Sequence, residues 1–412
     1  MIKQNTLFYT YLDECKKNFF TTEFERKDSK HEAYNFYSLS SVSFESDYYL
    51  QQFEDKWAVF KKEFNIPDKT CLHFAEYKKL LSSDHVKNIK IAIRQKEAIF
   101  SSESSINFSE FENVINSSDG FEEKEKEKLL KKLESFKNPE DLSSCYVEVK
   151  ATFRKYSKKI LSVDEKDIEG YRLFLNSDGT FDIVNVHNFF STLKELLKTS
   201  QFHILNTDYI NLKKAYLPLR KASEREKLTN PNILPAKNLA KAEARVVMKK
   251  HLDILIEFLI SNNFNGSTYL DENLPDMLYT KLRFDADGKE FEAKSDLKMA
   301  FHECLTTGTE RFEQKTAVKL LDEIRFIRKE EVGSGNIPPH CGSELVDFLC
   351  SLVCSETRVS YLTKIGVISQ EDFPKGKYST LIFEEEELED ISFEDIIEDK
   401  LFLKTMIDYS EI

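Results

Sequence analysis

The sequence predicts a mixed α/β protein in which helices flank a sheet. Apolar, strand-like runs alternate along the chain with segments whose apolar residues recur every three or four positions. The 412 residues include 33 Phe and 17 Tyr, which is ample material for a core. Only 11 Gly and 9 Pro are present, which is few for a loop-rich or repeat-based β architecture. Strands interleaved with helices are typical of a mixed sheet covered by helices.

The N-terminal elements are predicted to be two strands and a helix. Residues 7–12 are aliphatic and aromatic except for Thr10, which predicts a buried strand that ends at the acids Asp13 and Glu14. Residues 34–44 mix polar and apolar side chains and predict a second strand. Residues 47–64 predict a helix, because their aromatic side chains recur at helical spacing and form a face that would pack on the core.

Residues 83–185 change character and predict an insertion that forms a helical subdomain. Polar, loop-like runs at 101–105 and 116–120 interrupt the apolar pattern. Residues 122–133 are dense in Glu and Lys of opposite charge at i,i+4, which predicts a solvated helix. Residues 146–153 predict a strand within this insertion.

The rest of the chain predicts further alternation of helices and strands. In order, the pattern predicts a helix at 188–197, a strand at 201–210, a long helix at 236–260, strands at 266–270 and 324–327, and a helix at 344–350. The predicted domains are a core at 1–82 and 186–373, the insertion at 83–185, and an acidic C-terminal tail at 374–412.

Charge and cysteine content argue against several classes of protein. The net charge of −13 argues against a generic nucleic-acid coat, although it is compatible with a local basic groove. The 7 Cys include no CxxC pair, which favours buried free thiols in a reducing cytosol over a zinc site. The N-terminus lacks the apolar core of a signal peptide, and no run reaches the roughly 18 apolar residues of a membrane helix. We therefore expect a soluble, cytoplasmic protein with no membrane partner.

Three acidic positions far apart in sequence predict a carboxylate cluster. Asp13 ends the first strand, Asp271 and Glu272 follow the strand-like run at 266–270, and Asp347 lies in an apolar helical stretch. Burying a carboxylate among apolar neighbours is costly unless a partner or a metal compensates. Carboxylates from separate elements that converge at a sheet edge are suitable ligands for Mg²⁺ or Mn²⁺. Two such cations can promote hydrolysis of a phosphodiester.

Each acid also has an ordinary structural interpretation. Among 72 acidic residues, a surface or helix-capping role is the default for any one of them. Neighbouring residues of a strand face opposite sides, so Asp13 and Glu14 cannot both face a cluster, and Asp13 is preferred. Glu14 and Glu344 are near alternatives as ligands.

Two further features have both a structural and a functional interpretation. His73, between Leu72 and Phe74, is either a half-buried structural histidine or a group that faces a phosphate. The basic residues at 213–227 either hold a phosphate backbone or form a solvated helix face.

The order of these motifs resembles a widespread prokaryotic family of unknown function for which a ribonuclease-H-like fold is predicted. The family opens with a strand ending in Asp-Glu-Ser-Gly, where this chain has Asp-Glu-Cys-Lys at 13–16. A Leu-His-Ala-like motif follows and is matched by Leu-His-Phe-Ala at 72–75. A later strand carries an acid, matched at 270–272, and a closing helix bears Gln-Leu-Ala-Asp, where this chain has Glu-Leu-Val-Asp at 344–347.

The resemblance implies a ribonuclease-H-like mixed sheet and metal-dependent phosphodiester hydrolysis of nucleic acid, in a setting such as phage defence or a mobile element. It covers residues 1–82 and 186–360. The positions to which it carries catalytic roles are Asp13, Asp271, Glu272, Asp347 and, as an accessory, His73. Of these, it implies that Asp13, Asp271 and Asp347 bind Mg²⁺ or Mn²⁺.

The chain departs from the family's motifs at two places. Cys15 and Lys16 replace Ser-Gly after the first acids, and Glu344 replaces Gln. Losing a glycine near a metal site removes close backbone approach. A second interpretation therefore stays open, in which the chain is catalytically inactive, retains the fold and docks a basic protein partner through its acidic tail.

Overall fold

The protein forms two compact units, each assembled from separate parts of the chain. A computed structural model describes residues 7–15, 36–68, 70–73, 83–100, 105–137, 142–161, 163, 174–175, 182–210, 236–264, 279–285, 291–327, 340–366, 379–381, 383 and 387–408. The first unit comprises Met1–His73, Phe189–Ile382 and Asp390–Ile412, and the second comprises Phe74–Asn188 and Phe383–Glu389. The predicted insertion at 83–185 lies within the second unit.

The first unit is built on a mixed sheet. The strands of the described residues are β1 (Leu7–Cys15), β2 (Phe36–Glu45), β3 (His203–Ile210), β4 (Tyr279–Asp285), β5 (Leu321–Ile327), β6 (Thr380–Leu381), β7 (Ile391–Ser392) and β8 (Leu401–Asp408). Six of them form one sheet in the order β5-β4-β1-β2-β3-β8, and β6 pairs with β7 separately. β2 runs antiparallel to both of its neighbours, whereas the β1–β4, β4–β5 and β3–β8 pairs are parallel.

Helices complete both units. The α-helices of the described residues are α1 (Ser46–Tyr48), α2 (Glu54–Glu63), α3 (Ser83–Ile99), α4 (Phe108–Ser117), α5 (Glu123–Ser135), α6 (Leu142–Leu161), α7 (Ile183–Lys198), α8 (Ala236–Phe264), α9 (Phe291–Thr307), α10 (Gln314–Leu320), α11 (Cys341–Lys364) and α12 (Glu394–Lys400). A π-helical turn, Tyr49–Phe53, joins α1 to α2. The predicted α/β class, with a mixed sheet flanked by helices, is confirmed.

One face of the sheet packs on α8, α9 and α10. Side chains alternate along a strand, so Phe8 and Leu12 of β1 share this face with Leu282 and Phe284 of β4. These side chains and those of α8 belong to one buried apolar cluster. Burying each such side chain contributes about 1.5–3 kcal/mol, so this layer supplies much of the unit's stability.

The opposite face of the sheet packs on α11, which lies over β1 and β2. Tyr11 projects to this side, and a Cβ atom at Gly342 would overlap its ring, so glycine allows α11 to approach β1 closely. Aromatic rings of the π-helical turn also pack on β2: the ring centroid of Phe44 lies 4.7 Å from that of Phe53 and 5.1 Å from that of Tyr49. The predicted aromatic face at 47–64 is therefore core-facing, as expected.

The second unit contains α3 to α6 and the beginning of α7. Rings of α4 and α6 meet in its core, with the centroids of Phe111 and Phe153 5.6 Å apart. The prediction of a strand at 146–153 is wrong, because these residues lie within the α-helix α6. Val149 and Phe153 are buried four residues apart, whereas the preceding Val147 is 64% exposed, which is a helical period and not a strand period.

The segment predicted to be an acidic tail contributes to the main sheet. β8 pairs in parallel with β3 and forms the edge of the sheet.

Within the described residues, no helix combines the length and the apolar character needed to cross a membrane.

Candidate functional site

Asp13 lies on the face of the sheet that α11 covers. Along β1, Tyr11 and Asp13 face α11, and Leu12 faces the α8 layer. Asp13 is almost fully buried, with 3% of its surface exposed. The backbone N–H of Glu14 donates a hydrogen bond to Asp13 Oδ1 at 2.8 Å, which fixes one of the carboxylate oxygens.

Helix α11 brings Asp347 to the same region of β1. Asp347 and Cys350 are three residues apart and therefore lie on one side of the helix. The Cys350 thiol donates a weak hydrogen bond to the backbone carbonyl of Asp13, with 3.5 Å between sulfur and oxygen. Burial raises the pKa of the Cys350 thiol, and the charges of Asp13 and Asp347 raise it further. The two carboxylates, one on a strand and one on a helix, thus lie near a single buried thiol.

Two more thiols border this region at the end of β1. Cys15 lies two residues beyond Asp13 and so faces the same side of the sheet. A hydrogen bond with Cys354 raises the pKa of the Cys15 thiol, and burial and the nearby Cys350, Cys354 and Asp13 raise it further. A thiol with a raised pKa is protonated at neutral pH, which makes it a poor nucleophile and a poor metal ligand. Cys15 therefore packs beside the acids as a protonated thiol that does not compete for a metal.

Glu344 belongs to a structural network on the first turn of α11. Its Oε2 accepts a hydrogen bond from Trp57 Nε1 at 2.6 Å, and its Oε1 accepts bonds from Lys61 Nζ at 2.8 Å and from the backbone N–H of Leu72 at 2.7 Å. Burial raises the pKa of Glu344, and the charge and hydrogen bond of Lys61 oppose that shift. This carboxylate ties α2 and the 70–73 segment to α11, so its geometry favours a structural role over the alternative of a metal ligand.

His73 is half-buried and directly follows Leu72, whose N–H is bound to Glu344. The backbone next to His73 is therefore held by the Glu344 network. The predicted accessory role of His73 stays a prediction. Asp271, Glu272 and the strand predicted at 266–270 lie outside the described residues, as does the basic segment at 213–227.

Asp285 is an acid that the sequence reasoning missed. It is the last residue of β4. Phe284 pairs with Leu12 across the parallel ladder, so Asp285 occupies the position on β4 that corresponds to Asp13 on β1. The sequence contained a signal for it, because residues 282–285 repeat the pattern of a strand that ends in an acid. The charged residue within that run makes the signal weaker than the one that precedes Asp13.

A second buried acid lies further along the same face of the sheet. Asp208 of β3 is 1% exposed, and burial raises the pKa of its carboxyl group. The Ser38 hydroxyl donates a hydrogen bond to Asp208 Oδ1, and Lys404 Nζ of β8 lies 4.0 Å from Oδ2. Asp208 ends a polar run, Asn-Thr-Asp at 206–208, between apolar pairs, and this pattern gave no reason to select the acid.

The donor atoms near Asp13 suit a hard cation. Carboxylate oxygens are the ligands that Mg²⁺ and Mn²⁺ prefer, and Asp13 and Asp347 supply them from two elements. Among the residues that the structure describes, no three His, Cys, Asp or Glu side chains are arranged to hold a metal ion. A complete site would therefore need a further acid, and Asp285 occupies the neighbouring backbone position on β4.

Comparison with known proteins gives no relative: no family model, curated protein or solved structure matches the chain.

Proposed function

We propose that the protein is a nuclease with a ribonuclease-H-like core that hydrolyses phosphodiester bonds of nucleic acid with Mg²⁺ or Mn²⁺. The observation that carries the proposal is that α11 places Asp347 one helical turn from Cys350, whose thiol lies 3.5 Å from the backbone carbonyl oxygen of Asp13. Acids brought together from a strand and a later helix are typical of a carboxylate metal site.

The strand order supports the ribonuclease-H-like part of the proposal. β1, β2 and β3 form an antiparallel meander, and β4 and β5 join in parallel on the other side of β1, giving the order β5-β4-β1-β2-β3. We infer a ribonuclease-H-like arrangement from this order, because β1 is in the interior of the sheet and β2 runs antiparallel to both of its neighbours. β8 extends the sheet beyond β3.

In this proposal Asp13 and Asp347 would hold the cation, together with Asp271, which the sequence predicts as the third ligand. A divalent cation, when bound, supplies activation of a water and neutralisation of the charge on the phosphodiester. The Glu14 N–H holds Asp13 Oδ1 in place, which fixes the orientation of the carboxylate before substrate arrives. The buried surroundings of Asp13 exclude bulk water and strengthen every electrostatic interaction at the site.

Substituting Asp13 by Asn tests the proposal directly. Asn keeps the size of the side chain and removes the anionic oxygen, so Mn²⁺-dependent cleavage of nucleic acid should fall by at least about 100-fold. The unfolding temperature should stay close to that of the wild type. Asp395→Asn is the matched control, because Asp395 is an exposed surface acid paired with Lys194. Cleavage by the Asp13 variant at the wild-type rate would exclude a catalytic role for this residue.

One observation favours a second candidate, a catalytically inactive protein that retains the fold and docks a basic partner. Asp13 is only 3% exposed, which restricts the access of a substrate. Calorimetric titration with Mn²⁺ separates the two candidates. The nuclease should bind Mn²⁺ and lose that binding in the Asp13→Asn and Asp347→Asn variants, whereas the inactive protein should show no specific uptake.

A further inference from the structure

Charged side chains lie beside the candidate site on the same face of the sheet. Arg283 of β4 pairs in register with Tyr11 of β1 and with Arg325 of β5, and Glu323 lies two residues before Arg325. Because register partners and residues two apart share a face, all of these project to the α11 side. We call Arg283, Glu323 and Arg325 the β4–β5 basic surface.

The two arginines of the β4–β5 basic surface are held in place by one carboxylate. Glu323 Oε1 accepts a hydrogen bond from Arg283 Nη2 at 2.8 Å, and Glu323 Oε2 accepts one from Arg325 Nε at 2.9 Å. Arg283 Cζ also lies 5.9 Å from the centroid of the Tyr9 ring, a cation–π distance. Two guanidinium groups against one carboxylate leave a net positive charge on the surface.

Donors remain for a ligand. A guanidinium group carries five N–H donors, and the pairing with Glu323 uses one of those on Arg325. The Arg325 side chain is 67% exposed, whereas that of Arg283 is 11% exposed. Arg325 is thus accessible from solvent, and Arg283 lies deeper, nearer to β1. Burial raises the pKa of Glu323, but the hydrogen bonds and charges of both arginines outweigh it, so the pKa lies below its usual value.

The arginines are adjacent to the acids along the strands. Arg283 lies two residues before Asp285 on β4, and its register partner Tyr11 lies two residues before Asp13 on β1. Two residues of a strand span roughly 6.6 Å. The β4–β5 basic surface is therefore one row of side chains away from the position of Asp13.

We propose that the β4–β5 basic surface binds the phosphodiester backbone of the nucleic acid and places it along the carboxylates. The inference rests on the proposed function and adds the residues that hold the substrate. Arg is well suited to this role, because its planar fork of donors matches phosphate oxygens. The overall charge of −13 gives the rest of the molecule little affinity for a polyanion, so a local positive surface is needed.

Binding without cleavage tests the inference. Fluorescence anisotropy of labelled single strands of about 20 nucleotides, one of DNA and one of RNA, is measured with the full chain in EDTA. Arg325→Gln should raise Kd and reduce the slope of log Kd against log salt by about 0.7 for each phosphate that the variant no longer neutralises. Arg283→Gln should do the same. Glu323→Gln should lower Kd, because it removes the competing carboxylate.

The matched control is Arg311→Gln. Arg311 is likewise exposed, at 54%, and paired with an acid, Glu257, but it lies in the α9–α10 loop. Circular dichroism at rising temperature checks that each variant is folded. The Arg325 side chain is the most exposed of the three arginines, so Arg325→Gln is the variant least able to disturb folding. Any of three results would overturn the inference. These are equal affinities for Arg325→Gln and Arg311→Gln, binding by Glu323→Gln that is equal to or weaker than that of the wild type, and no binding of nucleic acid by the wild type.

The result is separable from that of the proposed function. Binding that depends on the arginines, without Mn²⁺-dependent cleavage, would support the surface and refute the nuclease. Cleavage that survives Arg283→Gln and Arg325→Gln with unchanged binding would support the nuclease and refute the surface. A preference between the DNA and RNA strands would identify the substrate.

Discussion

Glu344 illustrates how the partners of a buried carboxylate decide its role. It has the apolar flanks that also mark Asp347, yet it accepts hydrogen bonds from Trp57, Lys61 and Leu72. A carboxylate has about four lone-pair sites, so three strong donors leave little capacity for a metal. The same network explains why Lys61 is buried in a helix whose neighbouring lysine, Lys62, is exposed.

Removing the cation from this network should be costly. Lys61→Met leaves the buried Glu344 carboxylate without its ion pair, and we expect the free energy of unfolding at pH 7 to fall by roughly 3–5 kcal/mol. Urea denaturation measures the change, with Lys62→Met as the control. Burial raises the pKa of Glu344 in the folded state, so the carboxyl group becomes neutral as pH falls and the deficit of the variant should shrink. A deficit no larger than that of Lys62→Met would show that the ion pair contributes little.

At the scale of elements, a buried histidine joins α8 to the sheet. His251 ring nitrogens are hydrogen-bonded to Thr207 Oγ1 on β3, at 3.0 Å, and to Ser41 Oγ on β2, at 2.9 Å. Burial lowers the pKa of His251 from 6.5 to about 3, so the imidazole is neutral in the folded protein. A neutral ring has one donor and one acceptor, which the two hydroxyl groups can satisfy.

Acid should therefore weaken this attachment. The unfolded chain protonates His251 near pH 6.5 and the folded protein only near pH 3, so the stabilisation is full above pH 6.5 and declines between these values. The decline is roughly 1.4 kcal/mol per pH unit. His251→Asn should be less stable at pH 7 and lose stability less steeply below pH 6.5, as measured by denaturation over pH 4–7. His302→Asn, at an exposed position on α9, is the control. Parallel pH profiles for His251→Asn and the wild type would contradict this account.

Apolar patterns in the sequence predicted β1, β2, β3, α8 and α11, whereas β4, α9, α10, α12 and β8 were not predicted. The apolar run before Asp13 and the aromatic repeat at 47–64 predicted β1 and the α1–α2 segment. The run at 146–153 was wrongly assigned, because an apolar stretch in an amphipathic helix can resemble a strand. The position of Asp285 opposite Asp13 depends on strand pairing between distant segments, which no local pattern contains.

At the scale of the whole molecule, the C-terminal segment is part of the main sheet. β8 covers the edge of β3, whose residues from Ile204 to Tyr209 are buried. β8 also brings Lys404 to within 4.0 Å of the buried acid Asp208. A segment that would act only as a docking tail has no need for either contribution, so the C-terminal sequence has a structural role irrespective of any partner.

Removing residues 401–412 should consequently destabilise the first unit without abolishing its metal site. β3 would become an edge strand with unpaired backbone groups, and the buried carboxylate of Asp208 would lose the nearby positive charge of Lys404. The midpoint of urea denaturation should therefore fall. An apolar dye should also bind, because the edge of β3 is no longer covered. Mn²⁺ uptake should persist at a temperature where the truncated chain is folded, because β2 and β3 separate Asp13 from β8. Phe402→Ser with Met406→Ser is the control, since these side chains are 37% and 47% exposed and their loss spares the backbone pairing. An unchanged urea midpoint after truncation would mean that β8 is dispensable for the stability of the first unit. Loss of Mn²⁺ uptake from the folded truncated chain would place the metal near β3 and Asp208 instead of near Asp13.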